Sequence, residues 1–143
     1  NSNIENLQIY LIVGILSKNL KKIEKIYKNY SNVKIIKNQV NLSNVFSNTN
    51  LLISSAGMIL YESAFFNVPT ILIKMYRNQE TNIESLEQIG HYFLLEKNDL
   101  NRSSKIVNLV KLIKLNFKRI IRLKLNSKLK IKKNSKNIIK KLK

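Results

Sequence analysis

The residues best suited to chemistry fall in two short stretches: Ser54-Ser55-Ala56-Gly57 with Glu62 behind it, and Arg77-Asn78-Gln79-Glu80. The first stretch closes the apolar run Leu51-Leu52-Ile53 with small side chains, so a ligand can approach the backbone closely. Backbone N–H groups left free where a helix begins favour phosphate, because they carry partial positive charge. Glu62 is the sole acidic residue between Glu24 and Glu80, and a carboxylate can accept two hydroxyl hydrogen bonds from a ribose. Each feature has a plainer meaning taken alone. Glycine between strand and helix is often turn geometry, and a glutamate near a helix start often only complements the dipole. In combination they point to half of a nucleotide site.

The elements that position these residues follow from periodicity. Leu51–Ser54 suits a strand buried on both faces, 58–67 turns helical, and Thr70–Ile73 is the next strand. If the two strands are parallel, the loops after them lie at one carboxyl edge, where open α/β sheets hold ligands. Upstream, Gln8–Val13 is a strand ended by Gly14. A helix is expected over Asn19–Tyr30, with Leu20, Ile23, Ile26, Tyr27 and Tyr30 on one face. Val33–Ile36 is a second strand, and 42–48 a short helix capped by Asn41 or Ser43. A helix over 82–89 and a strand over His91–Leu95 complete the series. Five strands alternating with helices predict an α/β, Rossmann-like, doubly wound parallel sheet with helices on both faces. The expected organisation is an α/β domain over residues 1–100 and a basic helical segment over 101–143.

The strand, the Ser55-Ala56-Gly57 turn, Glu62 on the next helix, the Val68-Pro69 strand and Asn78-Gln79-Glu80 together resemble the C-terminal domain of the GT-B-fold nucleotide-sugar enzymes. The resemblance runs over roughly Gln8 to Glu96. It is greatest to the UDP-sugar hydrolase of pseudaminic acid biosynthesis; spore-coat polysaccharide proteins and a glycosyltransferase acting on an undecaprenyl-linked acceptor are relatives. The resemblance implies that the backbone of Ser55, Ala56 and Gly57, with Met58, cradles the diphosphate of a UDP-sugar and that Glu62 holds the ribose. Asn78 and Gln79 would meet the sugar or β-phosphate, Glu80 is a further substrate-binding residue, and Gly14 would pass close to the nucleotide. Many relatives carry a second glycine and then hydroxyl side chains where this chain has Ala56, Met58 and Ile59, so phosphate contacts fall to the backbone.

In the hydrolase a histidine of the N-terminal domain activates water, so the resemblance places the catalytic base outside this chain. The chain starts with Asn, not Met, and is expected to be an excised or truncated piece lacking that domain, inactive by itself. Hydrolase or glycosyltransferase chemistry therefore stays open. The single histidine, His91, has no Asp, Ser or Cys nearby to form a triad or a metal set and is read as structural or exposed. The row Glu80, Glu84 and Glu87 is a solvated helix face, and neither a nucleophile elbow nor a dinucleotide fingerprint occurs. No metal or cofactor is expected.

Composition adds the setting. The chain has 143 residues and no cysteine, in keeping with a cytoplasmic domain. Its net charge of +18 is very uneven. Residues 1–100 hold ten basic and eight acidic residues, whereas 101–143 hold sixteen basic residues and no acid. Ser103–Lys118 has apolar residues at helix spacing and is expected to face the core. Beyond it, three partners compete for the basic tail. Packing against the N-terminal domain ranks first, an anionic membrane surface second, which would make the protein peripheral to the inner face of the membrane, and nucleic acid last. No aromatic follows Phe117, which leaves bases nothing to stack on. A non-catalytic basic module is thus the alternative to a nucleotide-sugar enzyme.

Overall fold

The structure is a computed structural model that describes residues 7–39, 41–57, 59–76, 79, 83 and 92–122. The chain divides into two compact units, Asn1–Val45 and Phe46–Lys143. All five expected strands are present and every pairing is parallel, as the β–α alternation requires. The hydrogen bonding groups them as a pair and a trio.

The first unit is a β–α–β arrangement. β1 (Ile9–Val13) pairs with β2 (Val33–Lys37) from Ile9↔Val33 to Val13↔Lys37. Asn32 fixes the entry to this register, its side-chain amide donating to Leu7 O at 3.0 Å while its carbonyl accepts from Gln8 Nε2 at 3.1 Å. Between the strands, α1 covers Leu20–Tyr27, shorter than expected from the apolar spacing. Two successive turns, Tyr30 N–H to Tyr27 O and Val33 N–H to Tyr30 O, take the chain back to β2 before the helix can reach Tyr30. The rings of Tyr27 and Tyr30 still meet edge-on, 5.7 Å apart, and Glu24 pairs with Lys37. The short α2 (Ser43–Ser47) follows, with Asn41 Oδ1 accepting from Ser43 N–H at 2.9 Å, so Asn41 supplies the turn at its start.

In the second unit β3 (Leu52–Ser55), β4 (Thr70–Lys74) and β5 (Tyr92–Glu96) form a sheet with β4 in the centre. Side chains alternate across a strand. Consecutive residues of β4 accordingly enter two separate cores. Leu72 joins Leu60 and Ile83 on one face, with Ala56, Ile59 and Tyr92 packed around them. Ile71 joins Leu95, Ile113 and Ile120 on the other, with Phe93, Ile106, Leu109 and Val110. Helix α3 (Ile59–Phe65) covers the first face and α4 (Ser103–Leu115) the second, which gives the sheet helices on both sides. Asn116 interrupts α4, and residues 117–122 continue as helix so that Ile120 reaches the same core as Ile113.

α3 is three residues shorter than the 58–67 span expected, and the reason is local. Asn67 adopts φ 57°, a left-handed conformation that asparagine tolerates. Val68 N–H then bonds Ser63 O at 2.8 Å and Asn67 N–H bonds Ala64 O at 3.2 Å, the paired bonds of a Schellman ending, with Pro69 just beyond. Ser63 and Thr70, both fully buried, tie this helix to β4. Thr70 Oγ1 donates across to Ser63 Oγ at 3.1 Å, and Ser63 Oγ donates to Leu60 O at 2.9 Å. The expected helix over 82–89 falls outside the described residues except for Ile83. β5 runs Tyr92–Glu96, one residue later than the expected strand, and His91 lies outside the described residues.

Candidate functional site

Parallel register fixes what meets at the carboxyl edge of the three-stranded sheet. Ser55 is level with Ile73, and Ile73 with Leu95, so the segments leaving all three strands open on one side. After β3 come Ala56 and Gly57, after β4 come Met75 and Tyr76, and after β5 comes a 3-10 helix, Lys97–Asn101.

One side chain joins the first two of these loops. Gln79 Oε1 accepts from Met75 N–H at 2.8 Å and from Tyr76 N–H at 3.2 Å, while its Nε2 donates to Ala56 O at 3.1 Å. Two donors at one end and a carbonyl at the other fix the orientation of the amide without ambiguity. The expected convergence of two polar loops is therefore present. Gln79, read from the sequence as a ligand contact, spends its oxygen and one N–H on this bridge; one N–H remains.

Within the first loop, Ser55 is exposed and Ser54 Oγ donates to Ser55 O at 3.1 Å. The methyl of Ala56 packs toward the Leu60 core, which explains a small apolar residue there. Gly57 accepts from Leu60 N–H at 3.1 Å, and a Cβ built on it would meet nothing within 4 Å. Its φ is not positive, so neither strain nor packing among the described residues demands glycine at this position. Glu62 stands exposed in the first turn of α3, and its carboxylate makes no hydrogen bond or ion pair among the described residues. With only seven residues, α3 contributes little dipole.

The remaining sequence-derived positions are distributed differently. Gly14 belongs to the first unit, at the carboxyl end of β1; it is exposed, accepts from Ser17 N–H at 3.0 Å, and also has open space where a Cβ would stand. Met58, Arg77, Asn78 and Glu80 lie outside the described residues, as do Glu84 and Glu87.

Sequence reasoning overlooked the third segment of this edge. Lys74 closes β4, and its ammonium lies 3.7 Å from the carboxylate of Glu96, its register partner on β5. Glu96 in turn starts the 3-10 helix in a reciprocal cap with Asp99, whose Oδ2 accepts from Glu96 N–H at 2.9 Å. Asp99 Oδ1 takes a charge-assisted bond from Lys105 Nζ at 2.6 Å. The Lys105 ammonium, together with the Glu96 N–H, holds the Asp99 carboxyl below its usual range. The signal was legible as Glu96-x-x-Asp99 ahead of an apolar helical run, a capping-box spacing. At the opposite edge of the sheet, burial, with a smaller contribution from Tyr61, pushes the Tyr92 phenol up to about 12. Among the described residues no group of three His, Cys, Asp or Glu stands together as a metal set. No described helix is long and apolar enough to cross a membrane.

Fold and edge together define an α/β protein with parallel strands and with loops gathered at the carboxyl edge of its three-stranded sheet, the place where open α/β sheets hold ligands. The chain matches the family described as "Protein of unknown function (DUF354)" over residues 2–139 and belongs to that family. No curated protein and no solved structure matches it.

Proposed function

We propose that the second unit binds the UDP part of a UDP-sugar, as the nucleotide-binding half of a GT-B-type enzyme of surface-glycan synthesis, with hydrolysis of the sugar–diphosphate bond of a pseudaminic-acid-type precursor as the leading reaction. The observation that carries this reading is the Gln79 bridge, which holds the Ser55–Gly57 and Met75–Tyr76 loops together at the carboxyl edge. Gly57 leaves open space beside the loop backbone, and Glu62 offers an exposed carboxylate one turn further on, free to accept ribose hydroxyls. Lys74, beside Glu96, adds a cation at the same edge. None of these residues is assigned the activation of a nucleophile. Their part is to bind and orient the leaving diphosphate and to offset its charge. A glycosyltransferase using the same donor differs only in what attacks the anomeric carbon.

The test is titration with UDP, followed by backbone amide shifts, with inorganic pyrophosphate as the control polyanion. UDP should shift Ser55, Gly57, Glu62 and Gln79, and pyrophosphate should not reproduce the Glu62 response. Glu62→Ala should weaken UDP by roughly ten- to a hundred-fold, since hydrogen bonds to a charged group contribute about 1.5–3 kcal/mol. Unchanged UDP affinity in that variant would refute the ribose role.

A further inference from the structure

The outer face of α4 and the turn after it is unlike any other surface of the described residues. The inner face, Ile106, Leu109, Val110 and Ile113, is spent on the sheet. The outer face carries Lys111, Lys114, Lys118, Arg119 and Arg122, all exposed, and among them Leu112 and Leu115, 52% and 84% exposed. At a rise of about 1.5 Å per residue these span about 16 Å. At the Asn116 step, Asn116 N–H and Nδ2 both donate to Leu112 O at 3.1 and 2.9 Å, and the surface beside it is open and shallow. Lys114, Lys118, Arg119 and Arg122 line this surface together with Leu115 and Phe117. Residues 101–143 contain no acid, and none of these five cations forms an ion pair among the described residues.

We propose that this face docks on an anionic phospholipid surface, its cations taking headgroup phosphates and Leu112 and Leu115 entering the acyl boundary. The inference is independent of the nucleotide reading. Two features select lipid over other polyanions. Phosphate affinity explains the cations, but it gives Leu112 and Leu115 nothing to do, whereas an interfacial helix needs aliphatic side chains between cations. The lysine stems can lie along the apolar layer while their ammonium groups reach headgroups. The sheet-packed inner face holds the helix parallel to the surface it meets, so docking requires no insertion of the fold. The nine further basic residues of 123–143 add charge of the same sign to the same end of the sequence.

The chain contains no tryptophan, so Leu115→Trp in the full chain gives a single fluorescent reporter at an exposed position. Its emission should shift to the blue with vesicles of equal phosphatidylcholine and phosphatidylglycerol, and stay unshifted with phosphatidylcholine alone. In co-sedimentation, replacing Lys118, Arg119 and Arg122 together by Ala should weaken vesicle binding about a hundred-fold, at roughly five-fold for each basic residue near a charged membrane. Replacing Leu112 and Leu115 together by Asn should weaken it about ten-fold or more, with the circular dichroism spectrum unchanged. Three results overturn the proposal: vesicle binding with no emission shift and no response to either variant, which assigns it to 123–143 alone; a shift with duplex DNA and none with vesicles; or no binding to either.

Discussion

Replacing Gln79 by Ala removes the side chain that, among the described residues, ties the two candidate loops together. Three hydrogen bonds go with it: those from Met75 N–H and Tyr76 N–H, and that to Ala56 O. The site is half-buried, so water can take over part of each lost bond. A net worth of about 0.5–1.5 kcal/mol per bond puts the cost at about 2–3 kcal/mol. For a domain of this size that corresponds to a melting point lower by roughly 10–20 °C. Equilibrium urea unfolding measures the energy, and amide hydrogen exchange locates it, since Met75 and Tyr76 should lose protection while Ile71 and Leu72 in the centre of β4 keep it. Gln79→Glu retains the acceptor for the two N–H groups but sets a carboxylate oxygen against Ala56 O, so it should fall between wild type and Ala at neutral pH. A Gln79→Ala variant within about 0.5 kcal/mol of wild type, with Met75 and Tyr76 exchanging as before, would show that the loops do not depend on this bridge. UDP affinity then reads the functional consequence. Loss of affinity in step with loss of loop protection is expected.

Gly57→Ala should separate binding from stability: with no positive φ and, among the described residues, no atom within 4 Å of the new methyl, stability should move by less than about 1 kcal/mol, while UDP affinity falls at least ten-fold. Unaltered affinity in a folded variant would exclude backbone contact at that loop. The Asp99 carboxyl is held low by Lys105 and the Glu96 N–H, so its contribution is present above the unfolded-state value and disappears as pH falls through the folded-state value. Asp99→Asn should therefore melt lower than wild type at neutral pH, with the difference closing in acid; a difference independent of pH would contradict the ion pair. The Tyr92 phenol is held at about 12 against an unfolded value of about 10, so stability is intact below pH 10 and falls between pH 10 and 12. After discounting for partial exposure the loss is on the order of 1–2 kcal/mol, and comparison with Tyr92→Phe, whose alkaline slope should be shallower, isolates it from the other titrating groups.

Periodicity made the five strands and their parallel sense legible, because a β–α alternation with apolar runs too short for helices leaves few other arrangements. Boundaries were less legible where hydrogen bonds outside the apolar pattern decide them. α1 stops at Tyr27 although Tyr30 continues its stripe, since the chain must turn to enter β2. α3 stops at Phe65 because Asn67 goes left-handed, a choice that the sequence Asn-Val-Pro permits without requiring it. Glu62 and the open position at Gly57 could be nominated from residue type alone, since both depend on local position in a strand–turn–helix. The role of Gln79 could not. A glutamine in a polar loop is equally suited to a ligand and to a backbone, and only the placement of Ala56 O beside it reveals the bridge.

By itself the sequence determined the class of fold, the placement of nearly all excess positive charge beyond residue 100, and the candidate loops at the carboxyl ends of two strands. These follow from side-chain size, polarity and spacing, which act over one or two turns of chain. Tertiary structure decided what depends on residues far apart in sequence: Gln79 reaching Ala56, Lys74 facing Glu96, and Ile71 and Leu72 entering different cores. It also decided which side of α4 remains exposed, because an amphipathic pattern with leucines on both faces names no partner until the sheet has taken one of them.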